Sequence, residues 1–293
     1  MAAKPGPPAP AAPESAGSVT SADGTVIGYY RLGQGPAVIL VHGAGQTGAD
    51  LRRLAEGLAG AFTVYVPDRR GRGRSGPYRP SDGLRAGVED LSALVVATGA
   101  RRVFGLSSGA VIALETALAG RPPIERLALY EPPLSFDGVR PDFWVPRYDR
   151  EMQQGKLGSA LVTVLKGTAD RTAFRYVPRF ALAGPLNLVI GHTADRPMPD
   201  GRVSPRDLVV SVHYDTVIVA EAAGPLERFA ALTGQVLLVG GSRSAPELTA
   251  ALDGLSRVLP GARRARLQGV GHTAADNRHR PALVAAELRT FFS

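Results

Sequence analysis

Short apolar runs and stretches with helical spacing alternate along most of the chain. Residues 37–42 read AVILVH, an almost unbroken apolar run of the kind that forms strands covered on both faces. The next segment, residues 49–59, places Leu51, Leu54 and Leu58 on one face of a helix. Strands that alternate with helices in this way predict an α/β fold, in which a mostly parallel sheet is flanked by helices.

The same patterns predict the remaining elements. Further strands are expected at residues 18–20, 25–31, 63–66, 102–106, 127–130, 236–239 and 265–267. Further helices are expected at residues 84–97, 110–119, 156–165, 172–183, 208–222, 246–259 and 281–292. The alternation is interrupted once, after Pro132, and it resumes near residue 207.

Two segments fall outside the alternating pattern. Residues 1–17 are rich in proline and alanine and contain no apolar run. They predict a disordered leader, because such a segment buries too little surface to offset its ordering entropy. Residues 132–206 lack a clear apolar strand, and we interpret them as a lid inserted into a core of residues 18–131 and 207–293. Such a lid would lie over the carboxyl ends of the strands, where open α/β sheets bind ligands.

A candidate nucleophile lies in the turn between a predicted strand and a predicted helix. Residues 105–109 read GLSSG and fit the G-x-S-x-G pattern around Ser107. The pattern is weak alone, but here it follows an apolar strand and opens a helix, which is the context that a nucleophile elbow requires. The helix that begins at Ser108 directs backbone N–H groups towards developing negative charge. The alternative role for Ser107 is that of a helix N-cap.

Two further segments supply the groups that a serine nucleophile needs. Residues 42–45 read HGAG and follow a buried strand, and we expect the Ala44 and Ser108 N–H groups to stabilise an oxyanion. His272 follows the last predicted strand in a glycine-rich loop, which lets the ring move between nucleophile and leaving group. The alternatives are a simple strand-to-helix turn for the first segment and a structural loop histidine for the second.

Four segments, in their order and spacing, resemble the α/β-hydrolase superfamily. They are VILVHGAG at residues 38–45, VPDRRGRGRSG at 66–76, FGLSSG at 104–109 and GVGHTA at 269–274. The resemblance extends from about Ser18 to the C-terminus, and the combination is far more specific than any single motif. It implies an α/β-hydrolase fold with a lid, in which Ser107 is the nucleophile and His272 is the general base.

The acid of the expected triad is missing from its usual place. The family usually carries it in the loop after the strand here predicted at 236–239, but residues 240–246 read GGSRSAP and contain no carboxylate. Either the acid has moved to Glu131, at the end of the preceding strand, or the triad is degenerate. We favour Glu131, because haloalkane dehalogenases, which are relatives on this fold, use a strand-end glutamate. The chain order Ser107, Glu131, His272 also fits the fold.

Four aromatic residues of the predicted lid are candidates for binding the substrate: Phe136, Phe143, Trp144 and Tyr148. An apolar pocket built from them would suit a hydrophobic substrate. The alternative is that they pack the lid onto the core. Dehalogenases and epoxide hydrolases of this fold use an aspartate at the elbow, so Ser107 argues against both activities.

The composition excludes several other classes of protein. The chain of 293 residues has a formal net charge of +8, which raises the question of nucleic-acid binding. The densest basic cluster (Arg69, Arg70, Arg72 and Arg74) lies in a glycine-rich turn without interleaved aromatic residues, so we interpret it as a solvated basic surface. The sequence has no cysteine and no apolar run of membrane length. We therefore expect a cytoplasmic protein with a small-molecule substrate and without nucleic-acid or membrane partners.

The leading hypothesis is a serine hydrolase that cleaves a carboxylic ester or thioester of a small to medium hydrophobic substrate, without a metal or cofactor. A second hypothesis is a biosynthetic acyltransferase, cyclase or lyase of secondary metabolism, which the missing acid and the high Arg and Pro content favour. A third is a non-catalytic small-molecule binding protein on the same scaffold. The sequence does not determine the oligomeric state.

Overall fold

The computed structural model describes residues 15–168, 177–193 and 203–293. The strands of this part of the chain are β1 (Ser15–Thr20), β2 (Val26–Leu32), β3 (Ala37–Val41), β4 (Thr63–Pro67), β5 (Arg102–Leu106), β6 (Arg126–Tyr130), β7 (Gln235–Gly241) and β8 (Arg263–Leu267). They form one eight-stranded sheet in the order β1-β2-β4-β3-β5-β6-β7-β8. The pairs β1–β2 and β2–β4 are antiparallel and the others are parallel, so the predicted, mostly parallel sheet is confirmed.

Helices cover both faces of the sheet. Those of the described residues are α1 (Arg52–Leu58), α2 (Leu84–Thr98), α3 (Ser108–Ala119), α4 (Val145–Gln153), α5 (Leu157–Thr168), α6 (Arg179–Thr193), α7 (Pro205–Glu221), α8 (Pro246–Val258) and α9 (Pro281–Phe292). Helices α2, α3 and α8 contribute to one hydrophobic cluster, and α1 and α9 contribute to the other. Along β3, Ile39 and Val41 enter the first cluster and Val38 and Leu40 enter the second, which explains the unbroken apolar run.

The order of the strands places a crevice between the ends of β3 and β5. The chain passes from β3 to β4 on one side and then returns to β5 on the other side of β3. The loops that follow β3 and β5 therefore diverge, and open α/β sheets bind ligands at such a switch point. Residues 42–45 follow β3 and Ser107 follows β5, so two of the predicted site segments meet there.

The first strand begins earlier than predicted. β1 starts at Ser15 rather than at residue 18, and Ser15 pairs with Arg31 of β2. Residues 15–17 read SAG and lack an apolar alternation, so their strand conformation comes from pairing across the turn rather than from their own pattern. The remainder of the predicted leader, residues 1–14, lies outside the described residues.

Helices α4, α5 and α6 lie within the predicted lid, and α7 connects them to the core. α5 agrees with the helix predicted at 156–165, whereas α4 is not among the predicted helices because its sequence is mostly polar. Residues 169–176 and 194–202 of the predicted lid lie outside the described residues. Helix α7 contacts α2 and α3 on one side and α4, α5 and α6 on the other. No helix in the described ranges combines the length and the apolar character that crossing a membrane requires.

Candidate active site

Ser107 lies in the tight turn between β5 and α3. Its backbone has φ 55° and ψ −124°, a conformation that residues other than glycine rarely adopt. A Cβ atom on Gly105 would lie 2.5 Å from Ala110 Cα, and one on Gly109 would collide with the backbone of β3. Glycines on both sides of the serine therefore allow the bend that brings the Ser107 hydroxyl to a cavity.

His272 lies in the loop after β8, with its ring between Ser107 and Glu131. Its Nε2 atom is 3.0 Å from Ser107 Oγ, and its Nδ1 atom is 2.8 Å from Glu131 Oε2. Because a carboxylate only accepts, Nδ1 carries the proton of this contact, and the Nε2 atom of a neutral ring accepts from the Ser107 hydroxyl. The loop is anchored by Tyr130, whose hydroxyl donates to the Gly271 carbonyl oxygen at 2.7 Å. The three side chains thus form one hydrogen-bonded series.

Glu131 follows the last residue of β6 and is only 1% exposed. Its φ of 47° directs the side chain out of the regular path of the strand. The Oε1 atom accepts from the Gly241 N–H at 2.6 Å, so both carboxylate oxygens are engaged. A Cβ atom on Gly240 would lie 3.1 Å from the same oxygen. The last two residues of β7 therefore supply both the space and a hydrogen bond for the Glu131 carboxylate, next to the loop in which the family usually carries its acid.

Ala44 and Ser108 border the same cavity as Ser107. Ala44 lies in the loop after β3, and Ser108 is the first residue of α3. Among the hydrogen bonds of the described residues, neither the Ala44 N–H nor the Ser108 N–H is donated to a protein acceptor. The turn around Ala44 is shaped by Gln46, whose side-chain oxygen accepts from the Gly43 N–H at 2.9 Å. Two backbone donors therefore remain available beside the Ser107 hydroxyl.

The cavity at Ser107 has a volume of about 50 Å³. Its wall includes Ala44, Ser107, Ser108, Pro133, Pro141, Asp142, Phe143, Trp144, Val145, Gly167, Thr168, Asp215, Thr216, Val219, Ala245, Glu247, Leu248 and His272. Two of the four aromatic residues that the sequence suggests for substrate binding, Phe143 and Trp144, belong to this wall. Both lie in the segment between β6 and β7, so that segment and the core form the cavity together.

The structure corrects the prediction for Phe136 and Tyr148, which pack away from the cavity. Phe136 belongs to one of the two main hydrophobic clusters, where a Cβ atom on Gly254 would lie 2.8 Å from the Phe136 ring. Tyr148 is fully buried beneath α7, and its hydroxyl donates to the Val209 carbonyl oxygen at 2.7 Å. The partners of both rings come from distant parts of the chain, so aromatic character alone does not separate them from Phe143 and Trp144.

A buried ion network that the sequence analysis did not predict adjoins Ser108. Oδ1 of Asp215, in α7, accepts from Ser108 Oγ at 2.8 Å and from Arg69 Nη1 at 2.7 Å. Its Oδ2 atom accepts from Arg72 Nη2 at 2.5 Å. Burial alone would raise the pKa of the Asp215 carboxyl, but the Arg72 and Arg69 guanidinium groups outweigh burial and lower the pKa below its ordinary value. Asp215 is therefore an anion held between two cations.

His42 adjoins this network and is neutral. Burial lowers the pKa of its ring well below the ordinary value, and the positive charges of Arg72 and Arg69 lower the pKa further. The His42 Nε2 atom accepts from the Arg69 backbone N–H at 3.1 Å, so the ring proton lies on Nδ1, 3.0 Å from the Gly43 carbonyl oxygen. Arg72 Nη1 donates to the same carbonyl oxygen at 3.2 Å. The turn that carries Ala44 is thus bound on several sides.

Arg70 forms a second buried ion cluster on the other side of the same loop. Its guanidinium group donates to Asp82 at 2.7 Å, to Asp90 at 2.7 and 2.8 Å and to Asp23 at 2.9 Å. The hydrogen bond from Arg70 lowers the pKa of Asp23, and the hydrogen bond to Asp90 raises the pKa of Arg70. None of these four residues is among the described residues that line the cavity at Ser107.

The interpretation of the arginine cluster as a solvated basic surface is therefore wrong for Arg69, Arg70 and Arg72. Their side chains are only 10%, 4% and 2% exposed. Of the four arginines only Arg74 is exposed, with its guanidinium carbon 3.9 Å from the centre of the Tyr30 ring. The carboxylates that bind the buried three lie between 12 and 146 residues away, so their presence at the loop is not visible from local spacing.

A signal for both ion clusters is nevertheless present in the sequence. In α7, Asp215 lies three residues after Val212 and three before Ile218, on the buried stripe of the helix. In α2, Asp90 lies on the buried face with Leu94. An acidic residue in an apolar stripe requires a buried partner, because an unpaired buried charge is strongly destabilising. The pattern identifies the carboxylates but not the arginine that each one binds.

Fold and geometry together define a class of protein. A serine on a strained turn, a histidine and a buried carboxylate meet at the carboxyl edge of a parallel sheet, beside two backbone donors. This is the arrangement of an α/β-fold enzyme of the hydrolase class. Residues 38–287 match the model of the Alpha/beta hydrolase family, and the chain belongs to that family.

Individual relatives agree with this assignment. The solved structure of an alpha/beta hydrolase from Sphaerobacter thermophilus DSM 20745 is 33% identical, with a TM-score of 0.72, over 94% of this chain and 100% of that one. N-formylmaleamate deformylase from Pseudomonas putida is 38% identical over 129 residues, which are 43% of this chain and 48% of the relative. The uncharacterized hydrolase YraK from Bacillus subtilis is 34% identical over 113 residues, which are 37% and 42% of the two chains. The matched part thus spans about half or less of the length of these curated relatives.

Proposed function

We propose that this protein is a serine hydrolase that cleaves a carboxylic ester or thioester of a small to medium hydrophobic substrate. The observation that carries the proposal is the hydrogen-bonded series from Ser107 Oγ through His272 to Glu131, with distances of 3.0 and 2.8 Å. The series lies at the edge of a cavity whose wall includes Phe143 and Trp144, which supports a substrate with an apolar part.

In the acylation step, Ser107 Oγ attacks the carbonyl carbon of the substrate while His272 Nε2 accepts the hydroxyl proton. The carbonyl oxygen becomes an oxyanion, to which the Ala44 and Ser108 N–H groups donate. The bond between the carbonyl carbon and the leaving oxygen or sulfur then breaks, and the leaving group takes the proton from His272. This step leaves the acyl group as an ester on Ser107.

In the deacylation step, His272 accepts a proton from water, and the hydroxide adds to the acyl carbon. The bond to Ser107 Oγ breaks, and the serine takes the proton back from His272. Glu131 holds the ring through Nδ1 in both steps and offsets the positive charge of the imidazolium. Because the Gly241 N–H binds the other oxygen of the carboxylate at 2.6 Å, Glu131 stays oriented towards the ring.

The partial similarity to N-formylmaleamate deformylase supports this type of reaction, since a deformylase removes a formyl group. That similarity covers 43% of the chain. We therefore propose the bond type, an acyl group joined to a heteroatom, and not that relative's substrate.

No contact of the described residues favours the other hypotheses. The acyltransferase, cyclase or lyase hypothesis was favoured by the high Arg and Pro content and by the missing acid after β7, and the position of Glu131, 2.8 Å from His272, speaks against the second of these reasons. A binding protein without turnover does not need a serine in a sparsely populated backbone conformation, which costs on the order of 1–3 kcal/mol. A serine hydrolase accounts both for the contact between Glu131 and His272 and for the strained backbone of Ser107.

Ser107→Ala tests the proposed function. We expect hydrolysis of short-chain p-nitrophenyl esters to fall to the background rate, and a fluorophosphonate that adds its mass to Ser107 of the wild-type protein to add nothing to the variant. The matched control is Ser256→Ala in α8, whose hydroxyl has no hydrogen-bond partner among the described residues, and it should retain the wild-type rate. Unchanged turnover in Ser107→Ala, or a folded wild-type protein that neither hydrolyses esters nor reacts with the phosphonate, would contradict the proposal.

A further inference from the structure

We infer that Asp215 is a positioning residue of this active site. Together with Arg69 and Arg72, it fixes the two backbone segments whose N–H groups stabilise the oxyanion. The inference deepens the proposed serine hydrolase function and depends on it. Within the described residues, the side-chain hydrogen bonds of Asp215 join Ser108, Arg69 and Arg72, and none of them joins Ser107 or His272.

The first segment that Asp215 holds is the start of α3. Ser108 Oγ donates to Asp215 Oδ1 at 2.8 Å, and Arg69 Nη1 donates to Ser108 Oγ at 3.0 Å. The Ser108 side chain, which is buried, is therefore held from both sides. Since the N–H of the same residue is one of the two proposed oxyanion donors, these contacts constrain the direction of that N–H.

The second segment is the turn after β3. Arg72 donates to Asp215 Oδ2 through Nη2, at 2.5 Å, and to the Gly43 carbonyl oxygen through Nη1, at 3.2 Å. The Gly43 carbonyl and the Ala44 N–H belong to the same peptide unit, so the position of Arg72 sets the orientation of the other proposed donor. Asp215 thus links both halves of the oxyanion site through a single carboxylate.

The surroundings of Asp215 make these links stiff. The side chains of Asp215 and Arg72 are each only 2% exposed, and that of Arg69 is 10% exposed. Hydrogen bonds between charged groups are short and directional, and water does not compete for them in a buried site. A displacement of about 1 Å at a catalytic donor costs as much as about 100-fold in rate. The position of the carboxylate therefore affects catalysis even though none of its hydrogen bonds within the described residues joins Ser107 or His272.

A role through charge and a role through position predict opposite signs. The two arginines and one aspartate carry a formal charge of +1 next to the oxyanion. Replacing the aspartate by a neutral side chain makes the charge +2, which through electrostatics alone would stabilise the oxyanion and raise kcat. If Asp215 acts by position, the same substitution loosens Ser108 and Arg72 and lowers kcat.

The experiment compares Asp215→Asn with Asp90→Asn, which removes a buried carboxylate from the neighbouring Arg70 cluster. We expect Asp215→Asn to lower kcat for a p-nitrophenyl ester by roughly 10- to 100-fold, with KM within about threefold of wild type. The rate of Ser107 labelling by the fluorophosphonate should fall in parallel, because the phosphoryl oxygen occupies the same oxyanion site. Asp90→Asn should leave kcat per folded molecule within about twofold.

Ser108→Ala decides the question if Asp215→Asn does not fold, because it removes only the two hydrogen bonds of the Ser108 hydroxyl and leaves both ion pairs in place. We expect it to lower kcat by roughly tenfold at unchanged KM, and Ser108→Thr, which keeps the hydroxyl, to restore most of that loss. A wild-type or raised kcat in folded Asp215→Asn would overturn the inference, as would a wild-type kcat in Ser108→Ala. If the folded wild-type protein neither hydrolysed the ester nor reacted with the fluorophosphonate, the result would instead count against the proposed function.

Discussion

The loop after β4 places neighbouring arginines in two different buried surroundings. Arg70 meets three aspartates, and one of them, Asp23, also pairs with the exposed Arg79, so these five residues carry a formal charge of −1. Arg69 and Arg72 share the single carboxylate of Asp215, so their cluster carries a formal charge of +1. The first cluster ties the loop to α2 and to the turn after β1, and the second borders the cavity at Ser107.

The difference suggests two roles: the Arg70 cluster stabilises the fold, and the Asp215 cluster is proposed to position groups of the active site. An excess of carboxylates around Arg70 anchors the loop but offers nothing to a developing anion. An excess of guanidinium groups around Asp215 leaves positive charge beside the two proposed oxyanion donors, whose directions the same groups are proposed to fix. Residues adjacent in sequence thus have unlike roles, which depend on the number of carboxylates that the fold brings to each.

The largest expected effect concerns a buried carboxylate outside both clusters, Glu131, whose partner is a histidine rather than an arginine. Glu131→Gln should lower kcat by about 10³- to 10⁴-fold, because an amide favours the wrong imidazole tautomer and does not stabilise the imidazolium. Steady-state kinetics on a p-nitrophenyl ester measures the loss. The matched control is Glu115→Gln on α3, which removes a carboxylate that pairs with Arg228 and should keep most of the activity. A loss of less than tenfold in Glu131→Gln would remove Glu131 from the triad.

The next effect is on stability. Arg70→Met leaves three carboxylates without their common cation, and breaking a buried ion pair in this way costs about 3–5 kcal/mol in the free energy of unfolding. Urea denaturation measures that cost, and kcat per folded molecule should stay within about twofold of wild type. A stable Arg70→Met with a strongly reduced kcat would show that the two clusters do not differ as described.

A smaller effect is expected from Arg72→Lys. This substitution keeps the formal charge of the Asp215 cluster and replaces the planar guanidinium group by an ammonium group. A single ammonium group does not span Asp215 and the Gly43 carbonyl oxygen as the guanidinium fork does. We expect kcat to fall by roughly 10- to 100-fold with KM little changed. Arg74→Lys, the same substitution at the exposed arginine of this loop, is the control and should be neutral. Equal rates for the two variants would show that only charge matters at Arg72.

The smallest effect is a dependence of the free energy of unfolding on pH. Between pH 7 and pH 5 it should come from His42, beside the Asp215 cluster, and not from the Arg70 cluster. Because the pKa of His42 is lowered from 6.5, the folded chain binds its proton less readily than the unfolded chain does. Its contribution is therefore complete above pH 6.5 and falls as the pH decreases, by up to about 1.4 kcal/mol per pH unit. Asp23 in the Arg70 cluster also has a lowered pKa, so its contribution is present above the ordinary carboxyl range and is lost only below it.

Urea denaturation between pH 7 and pH 5 distinguishes the two cases. Replacement of the buried ring in His42→Gln should remove part of the slope that the wild-type protein shows, whereas Asp23→Asn should retain the whole slope over this range. A His42→Gln variant with the wild-type slope would mean that other groups account for the dependence.

The sequence predicted correctly those features that depend on residues close together in the chain. The G-x-S-x-G segment between a strand and a helix located Ser107, because the tight turn itself demands small neighbours. Glu131 was inferred from the absence of an acid at residues 240–246 together with the resemblance to relatives that use a strand-end glutamate. The structure supplies the complementary reason, because Gly240 and Gly241 leave room for it.

The parts that were missed depend on contacts between distant segments. Asp215 lies 143 residues from Arg72, and no local spacing joins them. Phe136 and Tyr148 are aromatic residues of the predicted lid, as Phe143 and Trp144 are, yet they pack against other helices rather than line the cavity. The start of β1 depends on pairing with β2 and not on its own residues.

The position of Glu131 directly after β6, rather than after β7, has a consequence for directed evolution of this enzyme. A side chain at Gly241 would strike the backbone of the histidine loop, and one at Gly240 would crowd Leu252 and the Glu131 carboxylate, so neither position should be varied. Residues 243–245 carry no member of the proposed triad, although Ala245 belongs to the cavity wall. A library randomised at these three positions would reshape substrate preference while the proton-transfer groups keep their places.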